Sequence, residues 1–215
     1  VFVAAEKGYF RDQGLEVEVR QFASGRAAFA EMLEGGDIHL STVAPTPIMF
    51  SSFERDDFSI ISTFVHSYED VKVIARKDRS ITTPADLAGK RVGAAAGTTG
   101  QFFLAAFLTR NSVPLADVEL VDISPPDLPA ALAEGTIDAI VVWEPHASKA
   151  MTLVGDEHVH LPSPEIYKET FNFMAMKEWV ASHPAEIDRF LRAVLKATED
   201  VNKNPTEAQT IVSGR

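Results

Sequence analysis

The stretch that decides the fold is Leu132–Ala139, LAEGTIDA, because it repeats an earlier stretch, Met32–Ile38, MLEGGDI. In both, a helical pattern ends at Glu-Gly, and an aspartate stands where a buried strand is about to begin. Glycine suits the left-handed conformation that closes a helix, so both stretches predict the same helix–turn–strand junction. Both strands then run into proline, at Pro45 and Pro145. The shared order predicts a duplicated βαβαβ unit, although any α/β protein can contain one such junction.

Short apolar runs alternate with helical stretches along the chain, which is the pattern of βα units around parallel sheets. Strands are predicted at Leu15–Phe22, Ile38–Val43, Ser59–Val65, Val71–Arg76, Arg91–Ala95, Val118–Ile123 and Ile137–Trp143. Helices are predicted at Val3–Asp12, Arg26–Glu34, Pro47–Glu54, Thr99–Arg110, Leu128–Glu134, Glu178–Ala181, Pro184–Asn202 and Pro205–Val212. The fold class is therefore α/β.

The composition is that of a folded protein and excludes several classes of function. Of the 215 residues, 46% are hydrophobic and 24% are charged, which rules out wholesale disorder. The net charge is −11 and no basic stripe offsets it, so we expect no nucleic-acid partner. The chain has no cysteine, which excludes a disulfide, a thiol nucleophile and a zinc–thiolate site. No apolar run approaches the roughly 18 residues that a membrane span requires.

The second copy of the unit begins with a strand and a loop that the first copy lacks. Strand Arg91–Ala95 runs into the loop Gly97–Gln101, whereas the first copy begins at Val1, inside the following helix. A strand and a loop amount to about 15 residues. The internal symmetry predicts that a segment of this length, upstream of Val1, completes the first sheet.

Loops at the carboxyl ends of the strands are where an open α/β sheet binds its ligands. The loop Gly97–Gln101 is the best anion site among them, because glycine lets the backbone approach closely and the N–H groups of the next helix point outward. Thr98 and Thr99 add hydroxyl donors. In the first copy, Thr46 as the cap and Pro47 in the first helical turn form the same kind of helix start. An ordinary capped helix start explains the same residues equally well. The loop is not a P-loop, since the closing Gly-Lys-Ser/Thr is absent.

Trp143 and Glu144 follow the last predicted strand. A tryptophan there offers an apolar wall and one N–H donor. Glu144 occupies the position that Thr46 holds in the first copy, and it either caps its own helix or accepts a hydrogen bond from a ligand amine. His66 follows strand Ser59–Val65 and either lines the same cleft or lies in a surface turn.

The sequence carries no local signature of catalysis or of metal binding. His158 and His160 are two residues apart on one strand face, but no third ligand is near them in the sequence, so we predict no metal and no cofactor. Neither Gly-x-Ser-x-Gly nor His-Glu-x-x-His occurs. A catalytic triad that is assembled only in space remains open.

Four motifs along the chain are also found, in the same order, in one known family. They are Glu6–Phe10 with Gly14–Val17, Thr83–Gly93, Ile137–Pro145, and His183–Glu186 with Asn204–Ala208. Together they span nearly the whole chain. They resemble the substrate-binding proteins of ABC importers in the nitrate/sulfonate/taurine class.

The resemblance implies a type II periplasmic-binding-protein fold of two lobes, each a mixed, mainly parallel sheet flanked by helices. Lobe 1 would comprise residues 1–75 and 172–215, without its first strand and loop, and lobe 2 residues 76–171. Val71–Arg76 and Phe171–Lys177 would carry the chain between the lobes. The resemblance further implies a non-enzymatic monomer in the periplasm or outside the cell, in some cases lipid-anchored. It would close on a small anion or zwitterion and present the closed form to an ABC permease.

The resemblance also implies a ligand site. Sulfonate and nitrate binders hold the anion with N–H groups at helix starts, hydroxyl groups and sometimes a basic side chain. The residues expected to bind the ligand are Ser24, Gly25, Thr46, His66, Thr98, Thr99, Gly100, Trp143 and Glu144. Arg26 is the only cation in the loops that follow the carboxyl ends of the predicted strands at the cleft, which are Phe22–Arg26, Val43–Pro47, Gly97–Gln101, Ser124–Asp127 and Trp143–His146. It either supplies charge to the site or lies on a helix surface.

Two other functions remain open at this point. One is an enzyme on the same two-lobed frame, acting in pyrimidine or menaquinone biosynthesis, with His66 or Glu144 as its base. The thiamine-pyrimidine relatives have a Cys-rich motif, which a chain without cysteine cannot form. The other is the ligand-sensing domain of a signalling receptor.

Overall fold

A computed structural model of the protein describes residues 1–163 and 165–214. The helices are α1 (Phe2–Glu6), α2 (Tyr9–Asp12), α3 (Gly25–Leu33), α4 (Pro45–Ser52), α5 (Thr99–Arg110), α6 (Leu128–Ala133), α7 (His146–Val154), α8 (Lys177–Ser182), α9 (Pro184–Lys203) and α10 (Pro205–Ser213). The strands are β1 (Ser41–Val43), β2 (Phe58–Ser67), β3 (Lys72–Arg76), β4 (Arg91–Ala94), β5 (Glu119–Asp122), β6 (Ala139–Val142), β7 (His158–Leu161) and β8 (Glu169–Met176). Two compact units result, one of Val1–Gln21 with the chain from Met176 onward, the other of Phe22–Ala175.

The first unit is helical. Gly8 adopts a left-handed conformation, with φ of 73°, so the single helix predicted over Val3–Asp12 is divided into α1 and α2. Phe10 of α2 stacks on Phe190 of the long helix α9, with ring centroids 5.2 Å apart. This contact buries the apolar stripe of α9 within the unit.

The second unit contains two sheets, with strand orders β1–β8–β2 and β5–β4–β6–β3–β7. In the five-stranded sheet β4 runs parallel to β5 and β6, whereas β3 runs antiparallel to β6 and β7. In the three-stranded sheet β1 and β8 are antiparallel. The predicted α/β class is confirmed. The five-stranded sheet is mixed, but it has two parallel and two antiparallel pairings among the described strands, so it is not mainly parallel as expected.

The chain passes from the three-stranded to the five-stranded sheet between β2 and β3 and returns between β7 and β8. The expected lobe boundaries at residues 75/76 and 171/172 therefore fall inside β3 and inside β8. Both strands are flanked by neighbours on each side within their own sheets.

The five-stranded sheet is covered on both faces. Val73 and Val141 face a core that includes Phe107 of α5, whereas Ile74 and Ile140 face a core formed with α6 and α7. This alternation is the period of two that a strand imposes on its side chains. The packing of α5 on this sheet places the start of α5 against the carboxyl ends of β4 and β6.

One predicted strand is absent from the structure, and one helix of the structure was not predicted. Leu15–Phe22 is not a strand, because a strand requires ladder bonds to a neighbour and these residues form none within the described part of the chain. Helix α7, over His146–Val154, was not predicted. Among the described residues, no helix combines the length and the apolar character that crossing a membrane requires.

Candidate functional site

A cavity of about 130 Å³ lies at the starts of α3 and α5 in the second unit. Its walls include five of the residues expected from the sequence: Ser24, Gly25, Thr98, Thr99 and Trp143. The remaining lining residues are Arg26, Thr42, Val43, Ala44, Pro47, Glu169 and Phe171. Both sheets therefore contribute to one concave site.

The start of α3 is fixed by its cap and by a close backbone contact. The Ser24 hydroxyl oxygen accepts a hydrogen bond from the Ala27 N–H at 3.2 Å. A side chain on Gly25 would place its Cβ 2.9 Å from the Thr42 carbonyl oxygen, so only glycine lets the first turn of α3 approach β1 this closely. The free N–H groups of this turn border the cavity.

The start of α5 is built in the same way. The Thr98 hydroxyl accepts from the Gly100 N–H at 3.2 Å and donates to the Ala95 carbonyl at 2.7 Å. A Cβ on Gly100 would lie 2.9 Å from the Val141 carbonyl oxygen, which again demands glycine. Thr98 and Thr99 are buried at 4% and 3% exposure, so their polar groups lie in surroundings that exclude most water.

Two helix N-termini therefore open onto one cavity. Each carries a partial positive charge, and each stabilises a nearby anion by roughly 0.3–1 kcal/mol, or up to ~2 kcal/mol when partly buried. The arrangement suits a small anion with several acceptor oxygens.

Arg26 adds a full positive charge at the cavity. Its Nε lies 3.0 Å from the position that a Cβ on Gly97 would occupy, and Gly97 has a φ of 67°. Within residues 1–163 and 165–214, the Arg26 guanidinium forms no ion pair. Arg26 is exposed and also lines the cavity, so both roles considered for it stay predictions.

Glu144 lies outside the lining residues and is held by other groups. Its Oε1 is 2.9 Å from the Lys72 ammonium, and its Oε2 accepts the Ser148 N–H at 2.9 Å, in the first turn of α7. Burial opposes ionisation of Glu144, but Lys72 and Ser148 outweigh it and the pKa of Glu144 is lowered. Of the two roles considered for Glu144, the structure supports the helix cap.

Three further expected residues do not line the cavity. Thr46 is buried inside α4, because that helix begins at Pro45 and its cap position is Ala44. His66 is exposed on β2. Gly100 belongs to the first turn of α5, behind Thr98 and Thr99.

Glu169, a buried acid in the cavity wall, was not predicted from the sequence. Glu169 opens β8, is only 3% exposed, and has an Oε2 atom without a hydrogen-bond partner in the described residues. Burial, followed by the nearby Asp70 carboxyl, raises the pKa of Glu169 to about 8. Nothing local in the sequence marks this pair, because Asp70 and Glu169 lie far apart in the chain. Only their position beside neighbouring strand ends could have indicated it.

A second depression, of about 500 Å³, lies in the first unit at the junction of α9 and α10. It is lined by Lys203–Glu207 and Thr210, all of them exposed. No buried polar group converges on it. Across the described ranges, His, Asp and Glu side chains form no group of three that could hold a metal ion.

The family described as NMT1/THI5 like matches this chain over residues 1–208. A Bacillus subtilis protein assigned to the binding of aliphatic sulfonates is 27% identical over 99% of this chain and 65% of its own length. The taurine-binding periplasmic protein of Escherichia coli is 24% identical over 94% of this chain and 62% of its own. The chain thus spans about 65% of the length of the curated relatives it matches.

Solved structures show the same fold. The alkanesulfonate-binding protein SsuA of Xanthomonas axonopodis pv. citri, bound to MOPS, superposes with a TM-score of 0.83 at 19% identity, covering 99% of this chain and 74% of that one. A Candida albicans protein described as having the generic periplasmic binding protein fold superposes with a TM-score of 0.77 at 17% identity, covering 99% and 71%. These findings confirm the resemblance seen in the sequence. The chain belongs to the NMT1/THI5-like family and has the periplasmic-binding-protein fold.

Proposed function

We propose that the protein is the solute-binding component of an ABC importer and captures a small anion of the sulfonate, taurine or nitrate kind without changing it chemically. The observation that carries this proposal is the convergence of the α3 and α5 N-termini on one cavity, beside Arg26 and Trp143. The names of the relatives, which include a taurine-binding periplasmic protein, support the same class of ligand.

The physical basis is capture by fixed N–H groups rather than by overall charge. The net charge of −11 repels anions at long range, so binding energy has to come from local donors. Backbone N–H groups fixed by Gly25 and Gly100 need little reorganisation when an anion arrives. Burial strengthens each of these hydrogen bonds because water competes less for the anion.

Binding is coupled to closure of two lobes, one built on the three-stranded sheet and the other on the five-stranded sheet, which the chain joins between β2 and β3 and between β7 and β8. The cavity wall takes Ser24 and Thr42 from the side of the three-stranded sheet and Thr98 and Trp143 from the side of the five-stranded sheet. A ligand that touches both sides favours the closed form by its additional contacts there. In this proposal the closed monomer is the form that an ABC permease recognises, in the periplasm or at the cell exterior.

A thermal-shift experiment tests this proposal. The melting temperature is measured with taurine, ethanesulfonate and nitrate, and the ligand is recovered afterwards by mass spectrometry. A ligand at 100 times its Kd stabilises the folded protein by about 2.7 kcal/mol. For a chain of this size, that corresponds to a rise of roughly 5–10 °C. The recovered ligand has an unchanged mass.

Arg26→Gln and Arg110→Gln form a matched pair for the same experiment. Both remove one positive charge, but only Arg26 lines the cavity, whereas Arg110 ends α5. Arg26→Gln is expected to weaken anion binding about tenfold, in line with the loss of one charged hydrogen bond. Arg110→Gln leaves binding unchanged. If none of the anions raises the melting temperature, the proposed ligand class is wrong.

A further inference from the structure

We propose that Glu169, positioned by Asp70, is a cation subsite of the cavity, which accepts an ammonium group of the ligand and releases a proton in exchange. This inference rests on the proposed function and refines it. It favours, among small anions, those that also carry an amine.

The first observation is a buried carboxyl group in the wall of the cavity. Glu169 lines the cavity, yet it is only 3% exposed, and its Oε2 has no hydrogen-bond partner in the described part of the chain. The Oδ2 atom of Asp70, behind it, is likewise buried and without a partner there. Buried polar atoms in folded proteins are nearly always paired, so these oxygens require a donor, which is either a proton shared by the two carboxyl groups or a group of the ligand.

The second observation is a shortage of positive charge around this pair. The charged and titratable groups that face it are Lys72 on β3, Glu144 before α7 and Tyr167 before β8. Lys72 already forms an ion pair with Glu144, since their charged atoms are 2.9 Å apart. The cluster therefore contains three carboxyl groups and one ammonium group. The start of α5 contributes the uncharged Thr99 hydroxyl, and the Arg26 guanidinium at the start of α3 belongs to the lining of the same cavity.

A shared proton relieves this shortage when no ligand is bound. Burial raises the pKa of both carboxyl groups, and the Glu169 carboxyl, next to Asp70, reaches about 8. Near neutral pH the pair therefore holds a proton. An ammonium group placed at Glu169 supplies the missing positive charge and favours the ionised carboxylate, so the proton leaves to solvent as the ligand binds.

The two ends of such a ligand would meet different parts of the cavity. Its anionic end accepts hydrogen bonds from the N–H groups at the starts of α3 and α5 and from the Arg26 guanidinium. Its ammonium end donates a hydrogen bond to the Glu169 carboxylate. Glu144, considered from the sequence as the amine acceptor, is already engaged by Lys72 and Ser148.

Isothermal titration calorimetry of the 215-residue chain with two matched ligands tests the inference. The ligands are taurine (2-aminoethanesulfonate) and ethanesulfonate, titrated at several pH values in buffers of different ionisation enthalpy. Below a pH of about 8, the affinity for taurine is expected to increase as the pH is raised, by up to about tenfold per pH unit. Up to one proton is released for each taurine bound. Ethanesulfonate has no ammonium group to replace the proton, so its affinity is expected to stay level or to fall over this range.

Variants assign the effect to Glu169. Glu169→Gln is expected to weaken taurine binding roughly 10- to 100-fold and to abolish its pH dependence, as expected for the loss of one charged hydrogen bond, while ethanesulfonate binding is retained. Asp70→Asn removes the neighbouring charge, so the taurine pH profile shifts to lower pH. Glu119→Gln, an exposed change of equal charge on β5, leaves both profiles unchanged.

The outcomes separate the two proposals. Equal pH profiles for the two sulfonates, with no proton released, would overturn the cation subsite and leave the anion receptor standing. Absence of binding by either sulfonate at every pH would overturn both. If Glu169→Gln fails to fold, proton release by the unmodified protein decides the question alone.

Discussion

The Lys72 ammonium lies 2.9 Å from the Glu144 carboxylate, whose other oxygen accepts the Ser148 N–H. β3 and the first turn of α7 are thereby joined through one side chain. Glu144 thus fixes the end of β6 near Trp143 without facing the cavity itself.

Glu144→Gln is expected to lower stability and to leave ligand affinity unchanged. The lost ion pair and weakened cap amount to about 1 kcal/mol. Because the pKa of Glu144 is lowered on folding, its contribution exists above the unfolded value near 4.5 and is lost as the pH falls through the folded value. Urea unfolding of both proteins at neutral and at acidic pH measures this, and the difference should disappear at acidic pH. A large loss of sulfonate affinity in Glu144→Gln would instead make Glu144 a ligand contact.

Thr98→Val tests the cap of α5. The change removes the acceptor for the Gly100 N–H and the donor to the Ala95 carbonyl, and it should cost about 1 kcal/mol. Thr109→Val is the control, since the Thr109 hydroxyl bonds only to the Ala105 carbonyl within the same helix, at an exposed position. The free energy of unfolding of Thr109→Val should change by less than about 0.5 kcal/mol. Equal losses in the two variants would show that Thr98 has no special role at the helix start.

Gly100→Ala tests the close approach of α5 to β6. The added Cβ would lie 2.9 Å from the Val141 carbonyl oxygen, so the first turn must shift, at a cost of about 1–3 kcal/mol. Gly36→Ala is a matched control, because its Cβ would lie 2.7 Å from the Glu31 carbonyl oxygen, outside the cavity lining. Both variants should lose stability, but only Gly100→Ala should lose sulfonate affinity, by about tenfold. Calorimetric titration at a temperature where both variants are folded makes the comparison, and unchanged affinity in Gly100→Ala would contradict the role of the α5 start.

The pH dependence of stability provides a separate test of the buried acid. The pKa of Glu169 is raised to about 8 on folding, so the folded protein holds a proton that the unfolded chain has released at neutral pH. The contribution of Glu169 to the free energy of unfolding is therefore greatest below its unfolded pKa, near 4.5. It falls as the pH rises toward 8, by an amount on the order of a few kcal/mol. Urea unfolding of unliganded protein and of Glu169→Gln across this range measures it. The variant should show a flatter profile, and identical slopes would contradict a protonated Glu169.

Much of the geometry of the proposed anion-binding half of the site could be predicted because its signals are local. α5 begins and ends at the predicted residues, since Thr98 is a good cap and glycine permits the close turn. The rule that strand ends meet at one edge also placed Trp143 at the cavity, whereas Ser24 lies there as the cap of α3, although the strand predicted before it does not form. Thr46 was misplaced because prolines at positions 45 and 47 both suit a first helical turn, and the helix begins at the earlier one.

The acidic half of the site could not be predicted for the opposite reason. Asp70 and Glu169 interact only because the strands that follow them belong to neighbouring parts of the fold, and a single glutamate before an apolar run has no distinctive period. The strand predicted at Leu15–Phe22 was wrong for a similar reason. Alternation in the sequence indicates a strand, but it does not reveal whether a neighbouring strand is present to pair with it.

Amide chemical shifts measure the central claim most directly. A ¹H–¹⁵N spectrum of the protein is recorded while ethanesulfonate is added, with the amides of Gly25–Ala27 and Thr99–Gln101 assigned. If both helix starts hold the anion, these N–H protons move downfield together with one apparent Kd, while the amides around Lys203–Thr210 stay in place. Shifts confined to Lys203–Thr210, or at only one of the two helix starts, would contradict an anion site made by α3 and α5 together.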